Sequence, residues 1–555
     1  MAPRFRRSEE YELLPRVSSD SIRSSSNSDL EHHGSTTTNI HHLRLPAWLC
    51  IRLPLRPARA LYTKLSGPRG PRRPLVRGIC WMIAAILCVI ILLVVFTAAF
   101  RPSYTHLPDH YGALQRRCRE SHEPGRGNIN NEKVFIAATL YDPKGHLVGG
   151  DWGSAVLKLV ELLGPENVHL SVYENDADPL AKASLETLEK RLTCKSSSHS
   201  LVVVFRSEYY PGNSSLISEH LPLEEIPRVT IPSGERRMKR IAFLAEVRNR
   251  ALRPLETNLS ARFDKLLFIN DVMFNPVDAA HLLFSTNIDS SGHTQYGAVC
   301  AVDFINAFKF YDRFATRDLE GYAMGIPFFP WFTDAGNAVS RRDVLEQKDA
   351  VRVRACWGGM TAFEAKWFQS SYRDNSLTVA DDTNFAASKI SPLRFRYEED
   401  PFWDASECCL IHADLTYLRY GRNITTDSGI FTNPYIRVAY DSRTLSWLPY
   451  TRRIERLYSF IHNLLDHAVG LPSHNVRRLE QPGDTVVEKV WKYDDTGEKP
   501  KPGESGSDLK GSYHDVKRVV GPGRFCGSRT LLVLNDNPKE GEKKWMNVPL
   551  PALPS

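Results

Sequence analysis

Residues 131–470 predict an α/β domain on a Rossmann-like sheet, and residues 78–100 predict a single transmembrane helix ahead of it. Three observations carry that prediction. Short apolar runs alternate with segments of helical period between residues 133 and 269, residues 78–100 hold no charge, and one apolar run ends abruptly in Asn270-Asp271. Strands alternating with helices imply βαβ units, right-handed crossovers and a ligand crevice at the carboxyl ends of the strands.

The first strand is read from Lys133-Val-Phe-Ile-Ala-Ala-Thr-Leu-Tyr141, an apolar run bounded by polar residues. A helix follows over Gly153 to Leu163, where Val156, Leu159, Val160 and Leu163 recur at helical spacing and Gly164-Pro165 ends the pattern. Val168 to Tyr173 is the second strand, closing on Glu174-Asn175-Asp176, with an amphipathic helix over Leu180 to Leu192. Leu201 to Phe205 is read as a third strand, Met238 to Leu255 as a long helix and Lys265 to Ile269 as a fourth strand. Further on, Gly497 to Gly511 reads as a loop, and Arg529 to Leu534 could return as an edge strand.

Gly78 to Phe100 spans 23 uncharged residues. As a helix it reaches about 34 Å, enough for a hydrocarbon core of about 30 Å. It lies too deep in the chain and is too long for a cleavable signal peptide, so it reads as a signal anchor. Residues 1–77 carry fourteen Lys and Arg against six Asp and Glu, with no acid between residues 32 and 77. The positive-inside rule therefore puts the N-terminus in the cytosol and residues 101–555 in the lumen. The tail alone has a net charge of +8, so the whole-chain +7 leaves −1 for the rest. Nothing beyond the tail is basic enough to neutralise a nucleic-acid backbone, and no nucleic-acid partner is expected. The expected organisation is a disordered cytosolic tail (1–77), the anchor (78–100), a luminal stem (101–130), the catalytic domain (131–470) and a C-terminal extension (471–555).

Seven of the ten cysteines fall in the luminal part, where disulfides form, and there is no Cys-x-x-Cys to suggest a zinc or redox motif. Asn213, Asn258 and Asn423 stand in Asn-x-Ser/Thr sequons, candidate glycosylation sites on a secretory route.

The candidate site is read from polar residues that follow apolar runs. Asp271 could ligate a hard divalent cation, and His412, in Cys408-Cys409-Leu-Ile-His412, could be a second ligand; a turn residue and a core histidine are the alternatives. Such an ion neutralises a departing diphosphate. Glu174 and Asp176 could accept hydrogen bonds from a base or ribose, and Arg248 and Asn249 lie on the helix before the Asp271 strand, where Arg could pair with a diphosphate. Asn270 and Asp303 share the strand-end character. Trp357-Gly358-Gly359 offers an apolar ring and close backbone approach, as an acceptor loop would. Asp381-Asp382 could cap a helix or serve in proton transfer. The absence of Gly-x-Gly-x-x-Gly and of Gly-x-x-x-x-Gly-Lys-Ser/Thr argues against dinucleotide and P-loop enzymes.

Phe-Leu-Ala-Glu-Val-Arg-Asn-Arg-Ala-Leu (243–252), Leu-Phe-Ile-Asn-Asp-Val (267–272), Cys-Ala-Val-Asp-Phe (300–304), Cys-Trp-Gly-Gly-Met (356–360) and Glu-Cys-Cys-Leu-Ile-His-Ala-Asp-Leu (407–415) together resemble the fungal family 69 glycosyltransferases, the cryptococcal α-1,3-mannosyltransferase and capsule-associated protein group. The resemblance covers roughly residues 130–465, with a further match at 521–527. It implies a GT-A-like fold with a mixed sheet, a GDP-mannose donor and glycan acceptor, Mn²⁺ or Mg²⁺ as cofactor, retention of anomeric configuration, and a type II Golgi membrane protein. It further implies a role in capsule or surface polysaccharide. The family's metal motif is compared with Asp-x-Asp, whereas Asn270-Asp271-Val272 supplies one acid. The alternatives are a non-catalytic polysaccharide export or glycan-binding factor, and a transferase using another nucleotide sugar.

Overall fold

The computed structural model describes residues 73–175, 178–195, 214–257, 262–369, 390–422, 427–473, 475–494, 511–535 and 544–553. The chain divides into two compact units, and the described part of the smaller is helical. Its helix, α1 (Arg73–Phe100), contains Gly78–Phe100, which is long and apolar enough to cross a membrane.

The larger unit is organised on a nine-stranded sheet. Its strands in chain order are β1 (Val134–Leu140), β2 (Val168–Glu174), β3 (Ser214–Ser218), β4 (Lys265–Ile269), β5 (Ala298–Phe304), β6 (Arg317–Asp318), β7 (Val351–Ala355), β8 (Met360–Glu364) and β9 (Ile430–Ala439). Their spatial order is β3-β2-β1-β4-β8-β5-β9-β7-β6. The first four in that order are parallel, and β8 runs antiparallel between β4 and β5, which makes the sheet mixed. Every residue of β1, β4, β5 and β9 is buried, as expected of central strands covered on both faces. The helices α2 (Asp151–Leu163), α3 (Pro179–Lys195) and α4 (Arg240–Leu252) fill the crossovers, and α5 (Glu407–Tyr420) packs against α4 and β7.

Strands 1, 2 and 4 and the first two crossover helices lie where the periodicity puts them, within a few residues at each end. The expected third strand, 201–205, lies outside the described residues; the strand that pairs with β2 is β3. The helix expected over 238–255 breaks at Arg253, because Pro254 starts a separate turn over Pro254–Thr257. The segment around His412, met in the sequence as a short apolar run, is the fourteen-residue helix α5.

Residues 101–130 are not a free stem. Tyr104 and Tyr111 are fully buried; the Tyr104 hydroxyl donates to the Val344 carbonyl (3.0 Å) and Asn433 Nδ2 donates to the Tyr111 hydroxyl (2.6 Å). The segment straps the domain because its two rings find apolar slots with a polar partner at the phenol end. The C-terminal extension is likewise tied in. Cys409 of α5 is disulfide-bonded to Cys526. Leu532–Leu534 pairs with Trp545–Asn547 rather than with the edge of the main sheet.

Candidate active site

A cleft in the domain opens along one edge of the sheet, where β4, β5 and β9 end and β8 begins. Its volume is about 100 Å³, and it is lined by Asn270, Asp271, Asp303, Trp357 and Tyr440 from the sheet, by Tyr311, Asp312, Phe314 and Ala315 from the loop after β5, and by the first turns of α4 and α5. β4 delivers Asn270 and Asp271 because a fully buried strand must end where the chain meets polar surroundings. Trp152 Nε1–H donates to the Asn270 carbonyl (3.0 Å) and Asn270 N–H to the Gly359 carbonyl (2.9 Å), which fixes that strand end from both sides.

Two arginines face the acids. Arg248 donates from Nη1 to Asn270 Oδ1 (3.0 Å) and from Nε to Glu407 Oε1 (3.0 Å), and its guanidinium lies 4.6 Å from the centroid of the Trp357 ring. Arg240, the first residue of α4 and about two helical turns before Arg248, is also buried, and burial pulls its pKa down. The first turns of α4 and α5 both border the cleft, and neither helix has a side-chain cap on its N-terminal N–H groups. Helix starts of this kind attract anions.

The acids are held under strain. Asp303 is fully buried; its Oδ1 accepts from Asp312 N–H (3.1 Å) and its Oδ2 from the Tyr440 hydroxyl (2.9 Å). Burial, together with the charge of Asp312, pushes its carboxyl up to about 7. Asp312 is raised too, by burial first, although Ala315 N–H (3.1 Å) and Gly358 N–H (3.4 Å) donate to it. Two neighbouring carboxylates that resist ionising are a place where a cation relieves a cost already present. The donor set of Asp271, Asp303 and Asp312 is all oxygen, which suits Mn²⁺ or Mg²⁺. Among the described residues no three carboxylates converge at ligand distance; the one such cluster is Cys300, Cys356 and His412. The acids thus fit an ion that takes one or two protein carboxylates and completes its shell with phosphate oxygens and water.

Of the residues singled out in the sequence, Arg248, Asn270, Asp271, Asp303 and Trp357 come together here. His412 does not. It is fully buried on α5, its Nδ1–H donates to the Cys408 carbonyl (2.7 Å), its ring stacks on Phe363, and Nε2 faces the Cys300–Cys356 disulfide. Burial lowers its pKa to about 4. It is a core histidine, and the expectation that it shares an ion with Asp271 is corrected. Asn249 also points elsewhere, clamping the Phe395 backbone with both ends of its amide (2.9 Å each). Gly358 and Gly359 have φ of +55° and +68°, and a Cβ at Gly358 would lie 1.9 Å from the Ala301 carbonyl oxygen. Gly358 thus approaches the protein's own β5, and a Cβ at Gly359 would lie 2.7 Å from the Val272 side chain. The Trp357 ring is likewise committed to Arg248 and is only 4% exposed.

Glu174 closes β2, fully buried, and accepts from the Ser218 hydroxyl (2.7 Å); it stands two strands from β4 on the same sheet edge and does not line the cleft. Asp176, Asp381, Asp382, Asn213, Asn258 and Asn423 lie outside the described residues. Sequence reasoning missed Arg240, Tyr311, Asp312, Glu407 and Tyr440. Tyr440 directly follows β9, but Thr432, Asn433 and Arg437 interrupt that strand, so no continuous apolar run marks its end in the sequence.

A family model described as cryptococcal mannosyltransferase 1 matches residues 133–414. Among curated proteins there is no significant match. Among solved structures, the mannosyltransferase PcManGT of Pyrobaculum calidifontis, in complex with GDP-Man and Mn²⁺, is similar at 12% identity and a TM-score of 0.27, over 65% of this chain and 70% of that one. Glucosyl-3-phosphoglycerate synthase of Mycobacterium tuberculosis, in complex with phosphoglyceric acid, is similar at 12% identity and a TM-score of 0.26, over 69% and 90% of the two chains.

Proposed function

Because this chain belongs to the family described as cryptococcal mannosyltransferase 1, and is a glycosyltransferase, we propose that it transfers mannose from GDP-mannose to a glycan hydroxyl at the cleft between β4 and β5. The observation that carries this reading is the opposition of Asp271, Asp303 and Asp312 to Arg240 and Arg248 beside two helix N-termini. That arrangement suits a diphosphate together with a divalent cation. Held by Asp271 with Asp303 or Asp312, Mn²⁺ or Mg²⁺ would neutralise charge on the leaving diphosphate.

The protein's own groups do the rest. Arg248, with its geometry set by Glu407, Asn270 and Trp357, presents a fixed cation to the diphosphate. Tyr440 holds the Asp303 carboxyl in place. The cleft is smaller than a whole nucleotide sugar, and the nucleoside would extend along the sheet edge toward Glu174, two strand spacings or about 10 Å away. Asp381 and Asp382 are proposed to orient the acceptor. A GT-A-like fold, retention of configuration, an α-1,3 linkage, a capsule or surface-polysaccharide product and a type II Golgi setting with residues 101–555 luminal complete the proposal.

The test is transfer from GDP-mannose to methyl α-mannoside by the full chain in microsomal membranes, with and without EDTA, beside Asp271→Asn. Metal-dependent product that is lost in the variant, with its linkage read by NMR, supports the reading. A folded chain that ignores GDP-mannose but uses another nucleotide sugar would sink the donor assignment, and one that neither binds nor cleaves any donor would sink the transferase.

A further inference from the structure

One helix of the domain is inside out. Over Ser459–Ala468, here α7, the two residues that face the interior are His462 and Asp466, both fully buried and joined through Nδ1 and Oδ2 at 2.8 Å. Asp466 Oδ1 also accepts from the Ile326 N–H at 2.7 Å. The outward face carries Phe460 (81% exposed), Ile461 (49%), Leu464 (71%) and Leu465 (40%). A helix that merely covered a soluble core would present the opposite face, because burying those four side chains is what stabilises an amphipathic helix. Just upstream, α6 (Ser442–Thr451) leaves Trp447 and Tyr450 more than half exposed.

The position of this face in the chain says what covers it. The apolar span ends at Phe100, and three residues later Ser103 N–H donates to the Arg452 carbonyl (3.2 Å), while Arg452 Nη1 donates to the Tyr104 carbonyl (2.8 Å). Three residues reach about 10 Å at most. If the span crosses a bilayer, the membrane surface lies within that reach of the turn between α6 and α7. Charge agrees. Between residues 442 and 470 the acids are Glu455 and Asp466, both buried, whereas Arg443 and Arg453 are exposed. Exposed arginines beside Trp, Tyr and an apolar helix face match headgroups over acyl chains.

We infer that α7, with Trp447 and Tyr450, is an interfacial docking surface that lays the catalytic domain on the same bilayer its anchor crosses. The inference rests on reading Gly78–Phe100 as a membrane span. Docking would hold the domain at a fixed attitude to the membrane, favouring acceptors presented at the lipid surface.

The test uses the full chain in liposomes containing anionic lipid, with Cys50, Cys80, Cys88, Cys118 and Cys194 replaced by Ser and a fluorophore on Leu464→Cys. The control label is on Leu180→Cys, which is 60% exposed on α3, a helix that packs against β3 at the far edge of the sheet. Lipids brominated in the upper acyl chain should quench the Leu464 label about twofold or more and leave the Leu180 label unchanged, since interfacial helices lie about 5–10 Å deep. Adding Phe460→Glu should abolish the quenching without changing the thermal midpoint. Equal iodide access at both labels, in a chain that resists alkaline carbonate extraction, would overturn the docking alone. A Leu464 label shielded from iodide but not quenched by lipid, in a particle of dimeric size, would assign the face to a second copy and also overturn it. A chain extracted by carbonate would overturn both, and would identify the anchor as the failed premise.

Discussion

Asp303→Asn should stabilise this protein while abolishing transfer, and the gain should grow with pH. In the folded chain burial and the neighbouring Asp312 raise the Asp303 carboxyl from 3.8 to about 7. A raised acid binds its proton more tightly folded than unfolded, so between those values the native state holds the extra proton and stability falls as pH rises. Below 3.8 the group costs nothing. Above 7 the full cost applies, about 4 kcal/mol at about 1.4 kcal/mol per pH unit, to order of magnitude and shared with Asp312. Near pH 5 the cost is only about 2 kcal/mol by the same arithmetic. Asparagine is nearly isosteric, still accepts from Asp312 N–H, and can donate to a Tyr440 hydroxyl that rotates to accept. The assay is the thermal midpoint of both forms at one scan rate from pH 5 to 8, without divalent cations. The midpoint of the native chain should fall away from that of the variant as pH rises. Curves that stay parallel would mean the carboxyl titrates in its ordinary range, and the argument for a strained acid pair would fail.

Arg248→Met should abolish transfer and cost about 3–5 kcal/mol of stability, because it leaves Glu407, only 3% exposed, buried without its cation; adding Glu407→Gln should restore the thermal midpoint but not activity. Gly358→Ala should cost more than the roughly 1–2 kcal/mol of left-handed strain, since its Cβ meets the Ala301 carbonyl oxygen, whereas Gly292→Ala, at φ +81° with open space around it, should cost only the strain; the comparison is made by thermal denaturation. His412→Gln should leave the Mn²⁺ concentration for half-maximal transfer unchanged while Asp271→Asn raises it at least tenfold; equal shifts in both would return His412 to the metal site.

The legible part of this chain was the part where one force dominates. A buried central strand must be a continuous apolar run, so β1, β2 and β4 were readable to within a residue or two, and so was the acid at the end of β4. What stayed hidden depends on distance across the fold. Nothing in Cys-Trp-Gly-Gly-Met says that Gly358 lies against Ala301 and Gly359 against Val272, or that the Trp ring is already taken by Arg248. His412 matches the core-histidine alternative, for the complementary reason. A polar residue in an apolar run needs a partner, but the partner was a carbonyl one helical turn back, which any helix supplies. The same principle explains α7, where His462 Nδ1 meets Arg341 Nη1 (3.1 Å) and Asp466 Oδ1 accepts from the Ile326 N–H, so the polar pair turns inward and leaves the leucines outside. In sequence, i and i+4 polar residues beside an apolar pair look like an ordinary surface helix turned the usual way. The tertiary packing alone decides which face the domain rejects, and a face rejected by the protein interior is one that needs another apolar phase.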